Sequence, residues 1–448
     1  MKPIKITRST FFGISSFQVL AMFRRGLFYS YLSIYLRYFL GLSVTETTFF
    51  ATFPMILNIL FQTFVWGVLS DKYQKRRTLI ILGEMSAAIS TFFVWFLHTL
   101  PASTRTAGYV IIIGLSVVEI FWSMSNVGWS ALISDLYPEH QRASIQGKLS
   151  SIGAVGMFVG VWIGGLLYDG LARFYEGWGF DTGMLFFIAS GVMAVSTIPM
   201  FFVPEGGIGA SEKNKNSVPE LRHQHEKLFS YSKKFLIFLL AIVFINFGRN
   251  CIAVIKSQYF VLDEGFNVSS KLLSYIVNME SVAIFIVGLF IGKLSKRLND
   301  WLLLLLGSLI AIGPLLGFAL ARTLTVIFVS NFLAGVSMVV ILASSYSYAS
   351  KLIPPAQRGK QFALFNATLF LSWGVGATVI AGPIVDLLLR SGATEVFSYK
   401  MSFIAAAVLV LIGVFILLFV KRIDHEVPKA KSKKPVDIDL GTSFDSIE

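Results

Sequence analysis

The sequence has few charged residues and a single cysteine. Charged side chains make up 14% of the 448 residues, whereas soluble globular proteins carry about 25%. Apolar residues make up 55%, and the mean hydropathy is +0.71. The single cysteine, Cys251, excludes an internal disulfide. These features indicate a chain whose residues mostly contact lipid or other apolar segments.

The sequence also lacks the usual signs of an enzyme or an ATP-driven pump. It contains no Gly-rich loop of the kind that cradles phosphates. His223 and His225 form a lone pair in a polar stretch, which indicates a solvated loop rather than a metal site. No histidine lies near the middle of an apolar segment. We therefore predict no catalytic residues, no metal and no cofactor.

Long apolar segments follow one another along the whole chain. A membrane-spanning helix needs about 20 apolar residues, and a helix satisfies its own backbone hydrogen bonds in lipid. The segments are too long, and too even in hydropathy, for the strands of a transmembrane barrel. The predicted spans are about 11–37, 45–69, 78–99, 108–134, 147–168, 182–203, 234–260, 269–294, 301–320, 324–349, 361–389 and 397–420.

Basic residues are concentrated between alternate spans. Most of the 38 lysines and arginines lie before the first span, in every second loop after it, and behind the last span. Such a bias places those segments in the cytoplasm. We therefore predict that both termini are cytoplasmic and that the chain lies in the plasma membrane. The net charge of +13 comes from these clusters, so it does not indicate a nucleic-acid partner.

One polar segment divides the spans into two groups of six. The predicted parts are an N-terminal bundle 1–204, a cytoplasmic linker 205–232, a C-terminal bundle 233–420 and a disordered cytoplasmic tail 421–448. The two bundles look like repeats, because Gly67–Ser70 after the second span resembles Gly292–Ser295 after the eighth. Arg24 and Arg249 occupy equivalent positions in the first and seventh spans. Parallel repeats place substrate sites near the middle of the membrane.

The loop after the second span carries a motif. Gly67-Val68-Leu69-Ser70-Asp71-Lys72-Tyr73-Gln74-Lys75-Arg76-Arg77 resembles the signature loop of the major facilitator superfamily, with Gln74 in place of a usual second glycine. The resemblance implies an all-α membrane protein of twelve transmembrane helices in two pseudo-symmetric six-helix bundles, with a monomer as the expected state. It also implies a conformational latch made by Gly67, Asp71, Lys72, Arg76, Arg77, Asp135 and Arg142. The alternative is that these charges only orient the chain.

Five charged residues lie near the middle of spans: Arg24, Arg25, Glu119, Arg249 and Glu280. A charge at that depth costs about 2.5–3.5 kcal/mol on insertion scales, so it normally faces a cavity or a partner. Arg24 and Arg25 point about 100° apart around a helix. The repeat favours Arg24 as the counterpart of Arg249. Glu84 lies nearer the inner face, and we expect it to support the basic loop.

Two arginines that face each other across a cavity suit an oxyanion. Their layout resembles that of organophosphate/phosphate exchangers, which implies an anionic organic solute bound by Arg24 and Arg249. The further predicted substrate contacts are Arg25, Tyr31, Tyr35, Asn246, Asn250 and Lys256. Glu119 and Glu280 are the predicted proton carriers, because burial favours a neutral carboxyl and a nearby arginine favours a charged one. The alternative is that arginines and glutamates only neutralise each other.

The predicted function is secondary transport by alternating access, and not an enzymatic reaction. Its partners would be a small-molecule substrate, the lipid bilayer and a proton or counter-ion gradient. A second hypothesis is proton-coupled export of cationic or neutral amphiphiles. The fifth span lacks the proline of the drug-antiporter element, since it reads Gly160-Val161-Trp162-Ile163-Gly164-Gly165. A third hypothesis is a receptor or membrane-embedded enzyme on the same scaffold.

Overall fold

The computed structural model describes residues 8–137, 139–171, 174–206, 232–353 and 358–426. These residues contain helices and turns but no strand. Each predicted span corresponds to one long helix, and we number these helices α1 to α12. They are α1 Arg8–Ile34, α2 Val44–Phe61, α3 Arg76–His98, α4 Thr104–Leu136, α5 Glu139–Tyr168, α6 Met184–Met200, α7 Lys233–Asn250, α8 Ser270–Arg297, α9 Asp300–Leu320, α10 Leu324–Leu352, α11 Arg358–Gly376 and α12 Glu395–Glu426.

Most of these helices are suited to a membrane. Ten helical stretches of described residues are long and apolar enough to cross one. The other two predicted spans are α1, which carries Arg24 and Arg25, and α6, which has 17 residues. The last helix continues to Glu426, which is six residues into the predicted tail. The rest of that tail, and 207–231 of the predicted linker, lie outside the described residues.

Several spans are not regular α-helices. Single π-helical turns extend α1 over Tyr35–Phe39 and α2 over Gln62–Trp66, and another π turn, Ala377–Ala381, extends α11. Beyond these turns α2 continues as Gly67–Tyr73 and α11 as Gly382–Arg390. In α7 the chain turns at residues 251–254 and resumes as Ile255–Phe260. The seventh span, predicted at 234–260, is thus present as Lys233–Phe260 with a break inside it.

The helices form two bundles with the same internal packing. In the first bundle α1 packs on α5 and α6, α2 on α4, and α3 on α4. In the second bundle the equivalent pairs recur: α7 packs on α11 and α12, α8 on α10, and α9 on α10. The bundles meet mainly where α5 packs on α8 and where α2 packs on α11. This repeated packing is the arrangement that the sequence repeat predicts.

The two bundles are joined at one end. We use the name outer end for the end that carries the loop 40–43, following the predicted orientation. Tyr38 Oη donates to the carbonyl of Gln258 at 3.1 Å, and the Gln258 side chain donates to the Ser33 carbonyl at 3.2 Å. Arg37 pairs with Glu395 at 3.0 Å. Among the described residues, all hydrogen bonds between the bundles lie between this end and the middle of the spans.

The turn after the second span has a left-handed residue that is not glycine. Gln74 has φ 57° and ψ 20°, and its amide donates to the Ser70 carbonyl at 2.9 Å, which ends the helical segment Gly67–Tyr73. A residue with a side chain is strained in this conformation, and glycine is not. The position therefore has a backbone conformation that suits the glycine usual in the motif that this loop resembles.

We expect Gln74→Gly to stabilise the protein by about 0.5–1 kcal/mol, because it removes the left-handed strain. The gain is reduced by the loss of the bond from Gln74 Nε2 to the Asp71 carbonyl. Thermal unfolding of the purified protein in detergent would measure the change. The matched control is Lys75→Gly, since Lys75 has φ −98° and is exposed. If Gln74→Gly lowers stability as Lys75→Gly should, the turn is not strained.

Candidate functional site

Arg24 is buried inside the first bundle, where it lines a small internal pocket with Tyr29 and Trp122. Its Nη1 lies 3.3 Å from Glu84 Oε2, and the two side chains are 4% and 1% exposed. Its guanidinium lies 3.7 Å from the centre of the Trp122 ring. Ser125 Oγ donates to the second Glu84 oxygen at 2.8 Å. In this conformation Arg24 therefore forms an ion pair that joins α1, α3 and α4, and its role as a substrate contact stays a prediction.

The local packing explains why Glu84 reaches this depth. Gly83 lies directly against α4, where an added Cβ would be 2.7 Å from the Ser125 amide nitrogen. The small residue lets α3 and α4 approach closely, and this brings Glu84 to Ser125 and Arg24. Glu84 was predicted to support the basic loop, which is wrong. In the sequence, Gly83 directly precedes Glu84 in an apolar segment, and this feature could have indicated a close helix contact at the carboxylate.

Of the two mid-span arginines of α1, Arg25 is the accessible one. It is exposed, and its guanidinium lies 4.6 Å from the centre of the same Trp122 ring. A charged group in the middle of a span avoids lipid, so this exposed face of α1 borders the space between the bundles. Tyr29 stacks on the Trp122 ring with centroids 6.4 Å apart and planes 4° apart. Arg25, Trp122 and Tyr29 thus form a cationic and aromatic surface.

Glu119 lies beside this surface in a chain of polar side chains. It is 8% exposed, and Asn58 Nδ2 of α2 donates to its Oε1. Gln62 Nε2 in turn donates to Asn58 Oδ1 at 2.6 Å. Glu119 makes no ion pair within the described part of the chain, and Arg25 lies against the Trp122 ring, about one turn further along α4. It is therefore a buried carboxyl near a free cation, as a proton carrier requires.

The second bundle holds a guanidinium without a partner. Arg249 of α7 is half-buried, its Nε is buried and unbonded, and it makes no hydrogen bond or ion pair with any described residue. Glu280 of α8 is the other charge near the middle of a span in this bundle. Glu280 itself pairs with Lys256 at 2.9 Å, and Lys256 stands beyond the break in α7. The break thus separates Lys256, which is paired with Glu280, from Arg249, which has no partner among the described residues.

The tyrosines predicted to contact substrate are packing residues. Tyr31 is 0% and Tyr35 1% exposed. Tyr31 Oη donates to the Val161 carbonyl at 2.8 Å, and Tyr35 Oη lies 3.4 Å from His98 Nε2. They share the face of α1 that carries Arg24, and that face is turned into the first bundle. Their assignment as substrate contacts stays a prediction, and in this conformation both side chains are buried.

The two asparagines of α7 are also engaged within a bundle. Asn250 Nδ2 donates to Ser372 Oγ at 2.7 Å, and Asn246 Nδ2 donates to Thr368 Oγ1 at 3.5 Å. Both asparagines are 3% exposed. They connect α7 to α11, and their contact with substrate stays a prediction.

The sequence and fold are similar to those of known transporters. A profile described as Major Facilitator Superfamily matches residues 14–377 and 238–444. The chain belongs to the major facilitator superfamily. An MFS-type transporter of Bacillus subtilis, YxiO, is 24% identical over 392 residues, covering 85% of this chain and 86% of that protein. An MFS-type transporter of Methanocaldococcus jannaschii is 21% identical over 364 residues, covering 80% and 84%.

Solved structures share the fold at low sequence identity. A D-xylose-proton symporter has a TM-score of 0.73 and 16% identity, covering 95% of this chain and 99% of that one. A bacterial homologue of the lysosomal transporter Spinster, in an inward-facing and unoccupied conformation, has a TM-score of 0.68 and 16% identity, covering 92% and 96%. The all-α membrane fold of the superfamily is therefore confirmed, and it points to a secondary transporter rather than an enzyme.

The superfamily's signature loop forms a charge cluster at the inner end of the first bundle. Arg76 is 7% exposed by side chain and pairs with Asp71 and with Asp135, each at 3.4 Å. It also donates to Ser70 Oγ. Arg77 pairs with Glu205 at 3.2 Å, and that carboxylate accepts from the Thr78 amide at 3.0 Å. The loop is thereby fixed to the ends of α4 and α6.

The remaining predicted latch residues contribute less to this cluster. Lys72 is exposed and lies 5.5 Å from the ring centre of Tyr73. Gly67 begins the helical segment Gly67–Tyr73. The side chain of Arg142 lies outside the described residues. The role of the cluster as a conformational latch stays a prediction.

A separate cleft lies at the outer end. It has a volume of about 170 Å³ and is lined by Asp169 and Glu176 of the first bundle and Asp263 of the second. Ser270 Oγ crosses between the bundles to donate to Asp169 at 2.7 Å. Burial, and then Asp263 and Asp169, raise the pKa of the Glu176 carboxyl. The cleft is therefore lined by acidic side chains, whereas arginines lie at the middle of the spans.

Proposed function

We propose that this chain transports a small organic anion by alternating access, with Arg249 and Arg25 as the anion-binding residues. The observation that supports this is the guanidinium of Arg249, which lies in the last turn of α7 beside the break in the seventh span and has no partner among the described residues. Leaving a buried charge without a partner is unfavourable, so the site is expected to bind an anion during its cycle. Arg25 replaces Arg24 in the earlier two-arginine prediction because Arg25 is the accessible one.

The charges around the site support an anion over a cation. Arg24 with Glu84, and Lys256 with Glu280, form internally neutral pairs. The groups that remain are the guanidinium groups of Arg25 and Arg249 and the carboxyl of Glu119. Their sum is positive whether or not Glu119 holds a proton. Paired guanidinium groups bind carboxylate or phosphate oxygens with two parallel hydrogen bonds each.

The conformation fits an inward-facing state. The bundles are hydrogen-bonded to each other at the end that carries the loop 40–43. The excess of basic residues predicts that the opposite end is cytoplasmic. In that orientation both termini are cytoplasmic, and the site is closed to the outside. We further propose that the protein acts as a monomer in the plasma membrane.

Proton coupling is proposed for Glu119 and no longer for Glu280. Glu280 holds Lys256 at 2.9 Å, and protonation would leave that lysine without its partner. Glu119 bonds only to a neutral amide among the described residues, so it can gain or lose a proton without breaking an ion pair. When an anion occupies Arg25, the charge that favours ionised Glu119 is neutralised, and proton uptake is favoured.

The test is uptake of labelled organic anions and cations into proteoliposomes, with and without an imposed pH gradient. We expect Arg249→Ala to reduce anion uptake about 100-fold, because two charge-assisted hydrogen bonds are lost. Arg25→Ala should act in the same direction. The matched control is Arg322→Ala, because Arg322 is exposed in the loop between α9 and α10. Uptake in the control should remain within about twofold of wild type.

One observation favours a second candidate, the export of cationic amphiphiles. Glu119 has no ion-pair partner in the described structure, and the aromatic rings of Trp122 and Tyr29 lie nearby. Carboxylates and aromatic faces both attract organic cations. Movement of cations that survives Arg249→Ala but is lost in Glu119→Gln would support this candidate and overturn the anion proposal.

A further inference from the structure

The outer half of α11 carries a regular stripe that faces α2. Gly374, Thr378, Gly382 and Asp386 recur every four residues, and the π turn Ala377–Ala381 lies within this stretch. An added Cβ on Gly374 would be 2.7 Å from the Thr52 Cα, and one on Gly382 would be 2.8 Å from the Thr45 Cα. The two glycines therefore let the backbones of α2 and α11 touch.

Between the glycines, Thr378 connects the two bundles through hydroxyl groups. Its Oγ1 lies 2.6 Å from Thr48 Oγ1 and 2.6 Å from Thr52 Oγ1, both on α2. The Thr48 and Thr52 hydroxyls also contact backbone carbonyls of their own helix. A hydroxyl has one donor and two acceptor sites, so this small network is largely satisfied within the closed interface.

At the end of the stripe, Asp386 caps the N-terminus of a helix in the other bundle. Its Oδ1 accepts from the Val44 amide at 3.0 Å, and its Oδ2 accepts from the Thr45 amide at 2.8 Å. The first amides of a helix have no partner within it, and its N-terminus carries partial positive charge. A carboxylate that accepts two such amides satisfies both requirements.

Of the four backbone amides at the start of α2, two donate to side chains of the same bundle and two donate to the second bundle. Ser43 and Glu46 form a capping box, in which each side chain accepts the amide of the other residue. The amides of Val44 and Thr45 are the two left over, and they go to Asp386. Because two of the four amides depend on the second bundle, the cap is complete only when the outer end is closed.

We propose that Asp386 is an outer latch, which stabilises the outer-closed state through a helix cap that exists only in that state. The inference rests on the alternating access of the superfamily and not on the identity of the substrate. A contact made in one of two conformations shifts the equilibrium by the free energy of that contact. The Thr378 hydroxyl contacts act in the same direction.

The test measures the distance between the bundles at the outer end by double electron–electron resonance. Spin labels would be attached at Ala102→Cys and Thr323→Cys, two exposed positions in outer loops of different bundles, with Cys251→Ala as background. We expect Asp386→Asn to increase the ratio of long to short distances about tenfold, because the charge and one acceptor are lost at the α2 N-terminus. Thr378→Val should shift the same distribution in the same direction.

The matched control is Glu264→Gln, because Glu264 is an exposed carboxylate of the second bundle near the same end. Its distance distribution should equal that of the wild type. A folded Asp386→Asn protein with an unchanged distribution would overturn the latch. If Asp386→Asn does not fold, Thr378→Val serves as the test. A distance distribution in Thr378→Val that equals that of the wild type would then overturn the proposal. The distances need no substrate, so a failed anion assay leaves this result intact.

Discussion

Glu84→Gln is expected to destabilise the protein by about 3–5 kcal/mol, because it leaves the Arg24 guanidinium charged and buried without a carboxylate. Arg24 and Glu84 are 4% and 1% exposed by side chain, so water cannot replace the lost partner. The remaining neighbour of Arg24, the Trp122 ring, compensates only in part. Thermal and denaturant unfolding of the detergent-solubilised protein would measure the loss.

The double variant Arg24→Met with Glu84→Gln is the control for that prediction. Removing both charges should restore most of the stability, since replacing a buried ion pair by apolar or neutral groups is often close to neutral. The double variant should also still transport, because the pair is buried inside the first bundle. If Glu84→Gln keeps wild-type stability and changes only the apparent substrate affinity, Arg24 is a substrate residue after all.

Glu119→Gln is expected to abolish the response of uptake to a pH gradient while leaving exchange of substrate across the membrane. Glutamine keeps an oxygen for the bond from Asn58 but cannot carry a proton. Accumulation driven by a pH gradient should fall at least about tenfold, as expected when an intramembrane carboxyl that relays protons is removed. Counterflow of labelled against unlabelled substrate should stay within about twofold of wild type.

Glu280→Gln separates proton coupling from simple charge pairing. It removes the partner of Lys256, so it should lower stability and leave the response to the pH gradient in place. The reverse result, with coupling lost in Glu280→Gln and kept in Glu119→Gln, would assign the proton to the second bundle. Coupling that persists in both variants would assign the proton to another group, whereas a wild type that does not respond to the pH gradient would mean that the solute moves without protons.

The sequence was sufficient for the membrane fold because its signal is local. A span of apolar residues in lipid has to be helical, since only a helix satisfies its own backbone there. The signature loop from Gly67 to Arg77 was equally informative, and the structure places Asp71, Arg76 and Asp135 in contact as that motif implies. Even so, the left-handed turn at Gln74 could not be predicted, because its residue type gives no indication of it.

The candidate site was predicted only in part. The five mid-span charges stood out because charge is rare at that depth. Their pairing could not be predicted, since Arg24 and Glu84 are 60 residues apart and meet only through the packing of α1 on the rest of its bundle. The break at residues 251–254 could not be predicted from the sequence either. It places Lys256 beside Glu280, and Arg249 has no partner among the described residues.

By itself the sequence determined that this chain spans the membrane many times, that it consists of two related bundles, and that a few buried charges are the residues to examine. Those properties depend on hydropathy and on repetition along the chain. Only the tertiary structure decided which arginine of α1 is accessible, because a rotation of about 100° separates Arg24 from Arg25 and the packing of neighbouring helices fixes that rotation. Tertiary contact also decided that Asp386 completes the cap of a helix in the other bundle.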